Sequence, residues 1–169
     1  GGFGGANAPR TPAAPAQADS AFYGNPGTLV MRRGRAGTDV VVVSEGGHVF
    51  LQGTRYARDP MAEAPRPFVD RVEIRSGSKQ RVFESAADVF EQVSAPLDDE
   101  FRTMLVTRES PTMVPDSYVR EANGTLRKLT SNEDVTPEIT RAVRRHVQVT
   151  RADGYKFWVE VTLPAGWRE

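Results

Sequence analysis

The sequence predicts an all-β protein: about two four-stranded antiparallel blades of an incomplete β-propeller, followed by a C-terminal β-hairpin. Three observations predict it. Short β-branched or alternating runs recur between clusters rich in Gly, Pro and Asp, the punctuation of an all-β chain. Asn123-Gly124 separates Ser117–Glu121 from Thr125–Thr130, and a two-residue hairpin turn favours that dipeptide because both positions take φ > 0. A partial internal repeat is also present. Gly77 and Gly124 lie 47 positions apart, and the same offset pairs Val72 with Val119 and Val82 with Leu129. The preceding strands need an offset of 55, Val49 to Met104, because the upstream copy has the longer proline loop. A four-stranded repeat of about 40–50 residues is the period of propeller blades, and a ring needs about four to eight of them. The chain therefore reads as two consecutive blades of a larger ring.

The elements follow in order. Residues 1–27 are rich in Gly, Pro and Ala, and such a tract buries too little apolar surface to offset its backbone entropy, so a flexible segment is expected. Its GGFGG opening would cradle phosphate only between a strand and a helix, a context absent from the surrounding sequence. Residues 28–130 carry the blades. Leu29–Met31 is a short strand, and Asp39–Ser44 (DVVVVS) is a β-branched run suited to burial on both faces. Glu45-Gly46-Gly47 turns the chain into His48–Gln52. Gly53–Pro67 is a long loop. Phe68–Arg75 alternates cleanly and returns through Ser76-Gly77 to Gln80–Glu84. The pattern then restarts with Val89–Val93, the turn Leu97–Glu100, the strand Phe101–Arg108, a proline loop Pro111–Pro115 and the Asn-Gly hairpin. Residues 131–169 form a third region. After a polar loop, Glu138–Arg145 reads as a short helical turn or an extended segment. A strong hairpin follows, His146–Thr150 and Tyr155–Leu163, whose second arm sets Tyr155, Phe157, Val159, Val161 and Leu163 on one face.

Composition excludes several classes. The chain of 169 residues has 22 Lys+Arg against 22 Asp+Glu and no Cys. A net charge of zero without a basic block argues against nucleic acid and against a polybasic membrane anchor as partners. Without Cys there is no disulfide, thiolate metal site or cysteine nucleophile. No apolar run approaches the roughly 20 residues of a membrane helix.

Several segments together resemble the prolyl oligopeptidase family of serine peptidases, near its glutamyl endopeptidase and dipeptidyl aminopeptidase-like branches. They are GHVFLQGT (Gly47–Thr54), RPFVDR (Arg66–Arg71), TRESPT (Thr107–Thr112) with SYVRE after it, LRKLTS (Leu126–Ser131) and TRADGYKFWVEVTLPAGW (Thr150–Trp167). The resemblance implies that residues 28–130 end a β-propeller and that 131–169 are a linker and the first hairpin of an α/β-hydrolase domain. It implies Ser-His-Asp acyl transfer in the parent chain, with the propeller gating peptide access. The family's nucleophile, acid and base all lie in the hydrolase domain, downstream of these residues. No catalytic, cofactor or metal residue is therefore assigned, and the 169 residues alone are expected to be inactive. Their partners would be peptide substrate, the hydrolase domain and the remaining blades.

The residues themselves offer only weak candidates for chemistry. Ser44 and Ser110 lie outside any G-x-S-x-G context. Ser76-Gly77-Ser78-Lys79 matches S-x-x-K in letters but reads as a hairpin turn. His48 and His146 lie in strands without a visible carboxylate partner and read as structural. Asp98-Asp99-Glu100 could hold a cation, though Ca²⁺ takes six or more oxygens. Arg108 and Glu109 read either as an inter-strand ion pair or as a recognition point for a substrate terminus. Asn123-Gly124-Thr125 is a glycosylation sequon by letters. Trp158 is expected to pack on a neighbouring domain. A second reading stays open, a free-standing β-rich binding or scaffold module whose partner face is the loops Gly53–Pro67 and Pro111–Pro115.

Overall fold

The computed structural model describes residues 22–59 and 61–168; the GGFGG tract and most of the expected flexible segment lie outside them. In chain order, β1 (Thr28–Leu29) leads into a small hairpin of β2 (Met31–Arg33) and β3 (Asp39–Val41). Strands β4 (His48–Arg55), β5 (Arg66–Glu73) and β6 (Lys79–Glu84) complete a four-stranded antiparallel sheet in the order β1-β4-β5-β6. A second meander follows, β7 (Phe90–Pro96), β8 (Thr103–Ser110), β9 (Met113–Glu121) and β10 (Leu126–Lys128), paired in sequence order. One helical turn, Pro137–Thr140, leads to a separate hairpin of β11 (Val143–Thr150) and β12 (Lys156–Leu163). The all-β class and the two four-stranded units with a terminal hairpin are as the sequence predicts.

Four local expectations change. Asp39–Ser44 is not a doubly buried strand of the main sheet. Its first half pairs with β2, and only Val42 and Ser44 are buried, because the run crosses an edge of the core rather than its middle. The loop expected over Gly53–Pro67 is shorter. Arg55 and Arg66 still face each other in the ladder, and Glu63 and Glu84 lie between the two guanidiniums at 2.5–3.4 Å to cancel their repulsion. The segment Pro111–Pro115 is a two-residue turn, Pro111-Thr112, and Pro115 lies within β9. Proline is tolerated there because the ladder is already irregular between Arg108 and Ser110. Phe101 belongs to the β7–β8 turn, with φ of 57°.

The core lies between the meanders. Phe50, Val69 and Phe83 from the first face Val93, Met104 and Val106 from the second, closed at one end by Val30, Val42 and Phe101. Alternation supplies this: every second residue of β4, β5, β7 and β8 points inward, and the intervening ones point away. The ring of Phe101 stacks on Phe50 at 4.2 Å. That burial holds a bulky residue in the left-handed region, at a cost of about 1–2 kcal/mol.

The sense of stacking is specific. Strand β7 packs on β5, with Gln52 Nε2 of β4 donating to Val93 O (2.8 Å) and Glu91 N donating to Ser85 Oγ (2.9 Å). Farther across, Arg120 of β9 lies over the ring of Phe83 in β6. First strands thus lie on the same side and run the same way, so the second meander follows the first by rotation rather than facing it as a mirror. This corrects the sequence repeat in one strand. Leu51 pairs with Asp70 and Asp70 with Arg81, as Val106 pairs with Tyr118 and Tyr118 with Lys128. Offsets of 55 in the second strand and 47 in the fourth are kept. The third strand needs 48, so Val72 corresponds to Arg120 and not to Val119. The turn after β9 is one residue shorter than the turn after β5, and a slip of one residue reverses which face a side chain occupies.

Candidate functional site

A cleft of about 700 Å³ opens where the first strands of the two meanders come together. One wall is Thr28–Arg33, the other is Gln92–Asp99, and Gln52 and Thr54 lie on the floor. The turn after β7 shapes its end. The Asp98 carboxylate accepts backbone N–H groups of Glu100, Arg102 and Thr103 at 2.6–3.1 Å. Burial raises the Asp98 pKa, but those three donors outweigh it and hold the group below the usual carboxylate range. Asp99 pairs with Arg32 at 2.6 Å across the mouth, and Glu100 accepts the backbone N–H of Glu45 at 3.0 Å. The acidic triplet therefore diverges to three separate partners instead of converging on a cation. Chemically the cleft is a polar trough with balanced charge, Arg32 and Arg33 against Asp98 and Asp99.

Beside the cleft, an ionic seam ties β7, β8 and β9 of the second meander together. The Glu91 side chain is 3% exposed, with Arg108 Nε and Arg120 Nη1 each at 3.2 Å. Arg108 stacks over Tyr118 and Arg120 over Phe83. A carboxylate so deeply placed needs such partners, since an unpaired buried charge is strongly destabilising. A second anchor lies where the chain leaves the sheet. Asp116 accepts from Lys128 Nζ (2.6 Å), Thr130 Oγ1 (2.7 Å) and Asn132 N (2.9 Å). Lys128 leads these in lowering the Asp116 pKa to about 2.

The remaining sequence candidates fall apart spatially. Ser44 Oγ lies 3.2 Å from His48 Nδ1, a serine–histidine contact that the sequence reading missed. Both residues bracket one turn, in which Ser44 N donates to His48 O and Gly47 N donates to Ser44 O. Ser44 is 4% exposed, and the pair staples this turn. The spacing i, i+4 across Glu45-Gly46-Gly47 was the available signal. His146 does have a carboxylate partner, Glu160 at 3.0 Å, directly opposite in the β11–β12 ladder and open to solvent. Ser76 and Ser110 cap turns, Ser76 Oγ accepting from Ser78 N and Ser110 Oγ from Thr112 N. Arg108 makes the inter-strand ion pair with Glu91. Glu109 points the other way, into a groove of about 420 Å³ that also involves Arg144 and Glu160. There Arg144 ties the terminal hairpin to the β8–β9 turn by donating to Pro111 O at 3.2 Å. Asn123 is exposed at its hairpin tip, its Oδ1 accepting from Thr125 N. Trp158 is 46% exposed. Among the described residues, no three His, Asp or Glu side chains cluster as metal ligands, and no helix is long and apolar enough to cross a membrane.

Comparison with known proteins gives a limited set of likenesses. No family model matches the chain. In a comparison that covers 86% of the chain, it is 27% identical to a protein of Arabidopsis thaliana named a probable chloroplastic glutamyl endopeptidase. The chain spans 16% of that relative's length. Among solved structures, a variant of the AtxE2 isopeptidase with Astexin3-dC4 bound superposes with a TM-score of 0.42 at 11% identity, over 83% of this chain and 22% of that one. The sequence likeness is thus to a peptidase, along most of this chain and a small part of the relative.

Proposed function

We propose that this chain is the last part of a β-propeller and its junction with a catalytic domain in a prolyl oligopeptidase-type serine peptidase. In the whole protein, acyl transfer would be carried out by Ser-His-Asp residues outside these 169, and the propeller would limit access to peptide-sized substrates. The observation that carries this reading is the sense of stacking. A sandwich of two sheets meeting inner face to inner face is complete after two layers. Two meanders stacked in the same rotational sense leave the same kind of face free at each end, and repetition with a steady twist is how propeller rings are built. The 27% identity to a peptidase over 86% of the chain supports the same reading. So does the terminal hairpin, which lies where the family resemblance puts the junction.

The test is to express the whole reading frame that contains this sequence and to treat it with a serine-directed fluorophosphonate probe alongside the 169-residue chain. The longer protein should be labelled stoichiometrically and hydrolyse peptide amides, while the shorter one stays unlabelled. An unlabelled longer protein would refute the peptidase assignment and leave the binding-module reading in its place.

A further inference from the structure

The tip between β9 and β10 sets a backbone nitrogen beside an exposed carboxamide. The ladder ends at Arg120 and Leu126, and residues 121–125 project beyond it. This tip stands at the end of β9 opposite the β8–β9 turn, where Arg144 fastens the terminal hairpin. A sheet stacked on either face of the meander would meet its strands and not this turn. Gly124 N donates to Glu121 O at 2.9 Å, so Ala122 and Asn123 are the central residues. Of the Asn-Gly pair expected at φ > 0, only Gly124 takes it, at 90°. Asn123 is exposed, and its Oδ1 accepts from Thr125 N at 2.9 Å. Its neighbour is a glycine, whose nitrogen no side chain shields: a Cβ there would have only Arg120 Nη2 within 4 Å, at 3.7 Å. The other described asparagines differ. Asn25 precedes Pro26, which has no N–H. Asn132 precedes Glu133 and donates its Nδ2 to Pro115 O at 2.5 Å.

We propose that Asn123 is a site of self-modification, converted to aspartate and isoaspartate through a succinimide closed by the Gly124 nitrogen. The Gly124 amide loses its proton to solvent base, and its nitrogen attacks Asn123 Cγ. The new Cγ–N bond forms as the Cγ–Nδ2 bond breaks, and Nδ2 departs as ammonia with a proton from water. Water then opens the ring at either carbonyl. Attack at Cγ gives aspartate, and attack at the main-chain carbon gives isoaspartate. One water is consumed and one ammonia released, with no oxidant or reductant. Two hydrogen bonds restrain the step in the closed turn. Glu121 O occupies the Gly124 N–H, and Thr125 N fixes the Asn123 carboxamide. The reaction therefore belongs to the opened tip, and such exposed turns open locally at little cost. Its product places a negative charge close to Glu121. The isoaspartate form also adds one main-chain atom to the turn that sets the register of β10. The inference rests on this turn and not on the catalytic assignment, so failure of the probe experiment leaves it standing.

The test incubates the 169-residue chain in mildly alkaline buffer, with and without urea, and samples it over time. Trypsin isolates the site as Glu121–Arg127 and the control asparagine as Leu129–Arg141. Mass spectrometry should find the first peptide converted to the acid, and isoaspartyl methyltransferase should label part of it. The Asn132 peptide should stay unchanged over the same interval. Conversion should be severalfold faster in urea, because unfolding releases both restraining bonds. Asn123→Gln, at an exposed position, should lose the acidic species that accumulates on ion exchange, since a glutamine would have to close a larger and slower ring. An Asn123 that persists in urea, aspartate formed without isoaspartate, or conversion of Asn132 at the same rate would each overturn the proposal. Equal rates with and without urea would overturn the role given to the turn.

Discussion

The paired meanders and the terminal hairpin use the same alternating pattern with opposite results. In β4 and β8 the inward residues Phe50, Met104 and Val106 are at most 1% exposed. In β11 and β12, Val147 and Val161 remain 49% and 37% exposed, although they alternate just as regularly. Alternation specifies a strand and chooses its face; burial requires a second layer to receive that face. The meanders provide that layer for each other. The hairpin has none among the described residues, and Arg144 ties it to the β8–β9 turn through Pro111 O and to the preceding helical turn through Ile139 O.

The largest way to break this contrast is to remove an aromatic ring from the packed layer. Phe50→Ala should destabilise the chain by about 3–5 kcal/mol, the range for buried Phe→Ala. At about 2–4 °C per kcal/mol for a chain of this size, the melting temperature should fall by roughly 10 °C. A shift of only a few degrees would mean that the two sheets do not pack closely. Next comes the ionic seam. Glu91→Gln leaves two guanidiniums without their carboxylate and should cost about 3 kcal/mol. That is the low end for breaking a buried pair, because each Arg is still 24% exposed. Chemical denaturation of the variant checks it, and the double variant with Arg120→Met should recover part of the loss.

A smaller effect separates strain from packing at Phe101. Both Phe101→Ala and Phe101→Gly lose the stacked ring, but only Gly is at ease at φ of 57°. The Gly variant should therefore be the more stable of the two by about 1 kcal/mol, reversing the order expected in an ordinary strand. Equal melting points would show that this turn relaxes once the ring is gone.

The strands and their hairpins were legible in the sequence because their signals are local. Asn123-Gly124, Ser76-Gly77 and the alternation of Phe68–Arg75 each depend on neighbouring residues only. The seam was not legible. Glu91, Arg108 and Arg120 look like ordinary solvated strand charges, and only the register of β7 on β8 and β9 reveals that they converge. The third-strand register was missed for a related reason. The glycine spacing reports the turn, while the length of that turn decides which face follows it. The Ser44–His48 contact was hidden because its two residues looked like members of separate strands.

The Asp116 anchor distinguishes the packed region from the hairpin by its pH response. Its folded pKa is depressed to about 2, below the ordinary value of about 3.9. The stabilisation is therefore fully present above pH ~4 and is lost as pH falls toward ~2. Asp116→Asn should be less stable than wild type at neutral pH, and the gap should narrow across that window. A gap that stays constant with pH would show that hydrogen bonds to Thr130 and Asn132, rather than charge, hold the exit of β10.

The smallest effect belongs to the hairpin and completes the contrast. Val161→Ala deletes two methyl groups from the apolar face of β12, at a position still 37% exposed. In a packed strand such a deletion opens a cavity; here water already reaches the site. The global stability should change by no more than about 0.5 kcal/mol, the usual range for a surface substitution. Hydrogen exchange sharpens the point. Amides of β11 and β12 should exchange by local opening, well before those of β4, β5 and β8, because strands without a covering layer open independently of the core. If Val161→Ala instead lowered stability as much as a core substitution, or if the hairpin amides exchanged only with global unfolding, the hairpin would have to share the cooperative core of the two meanders.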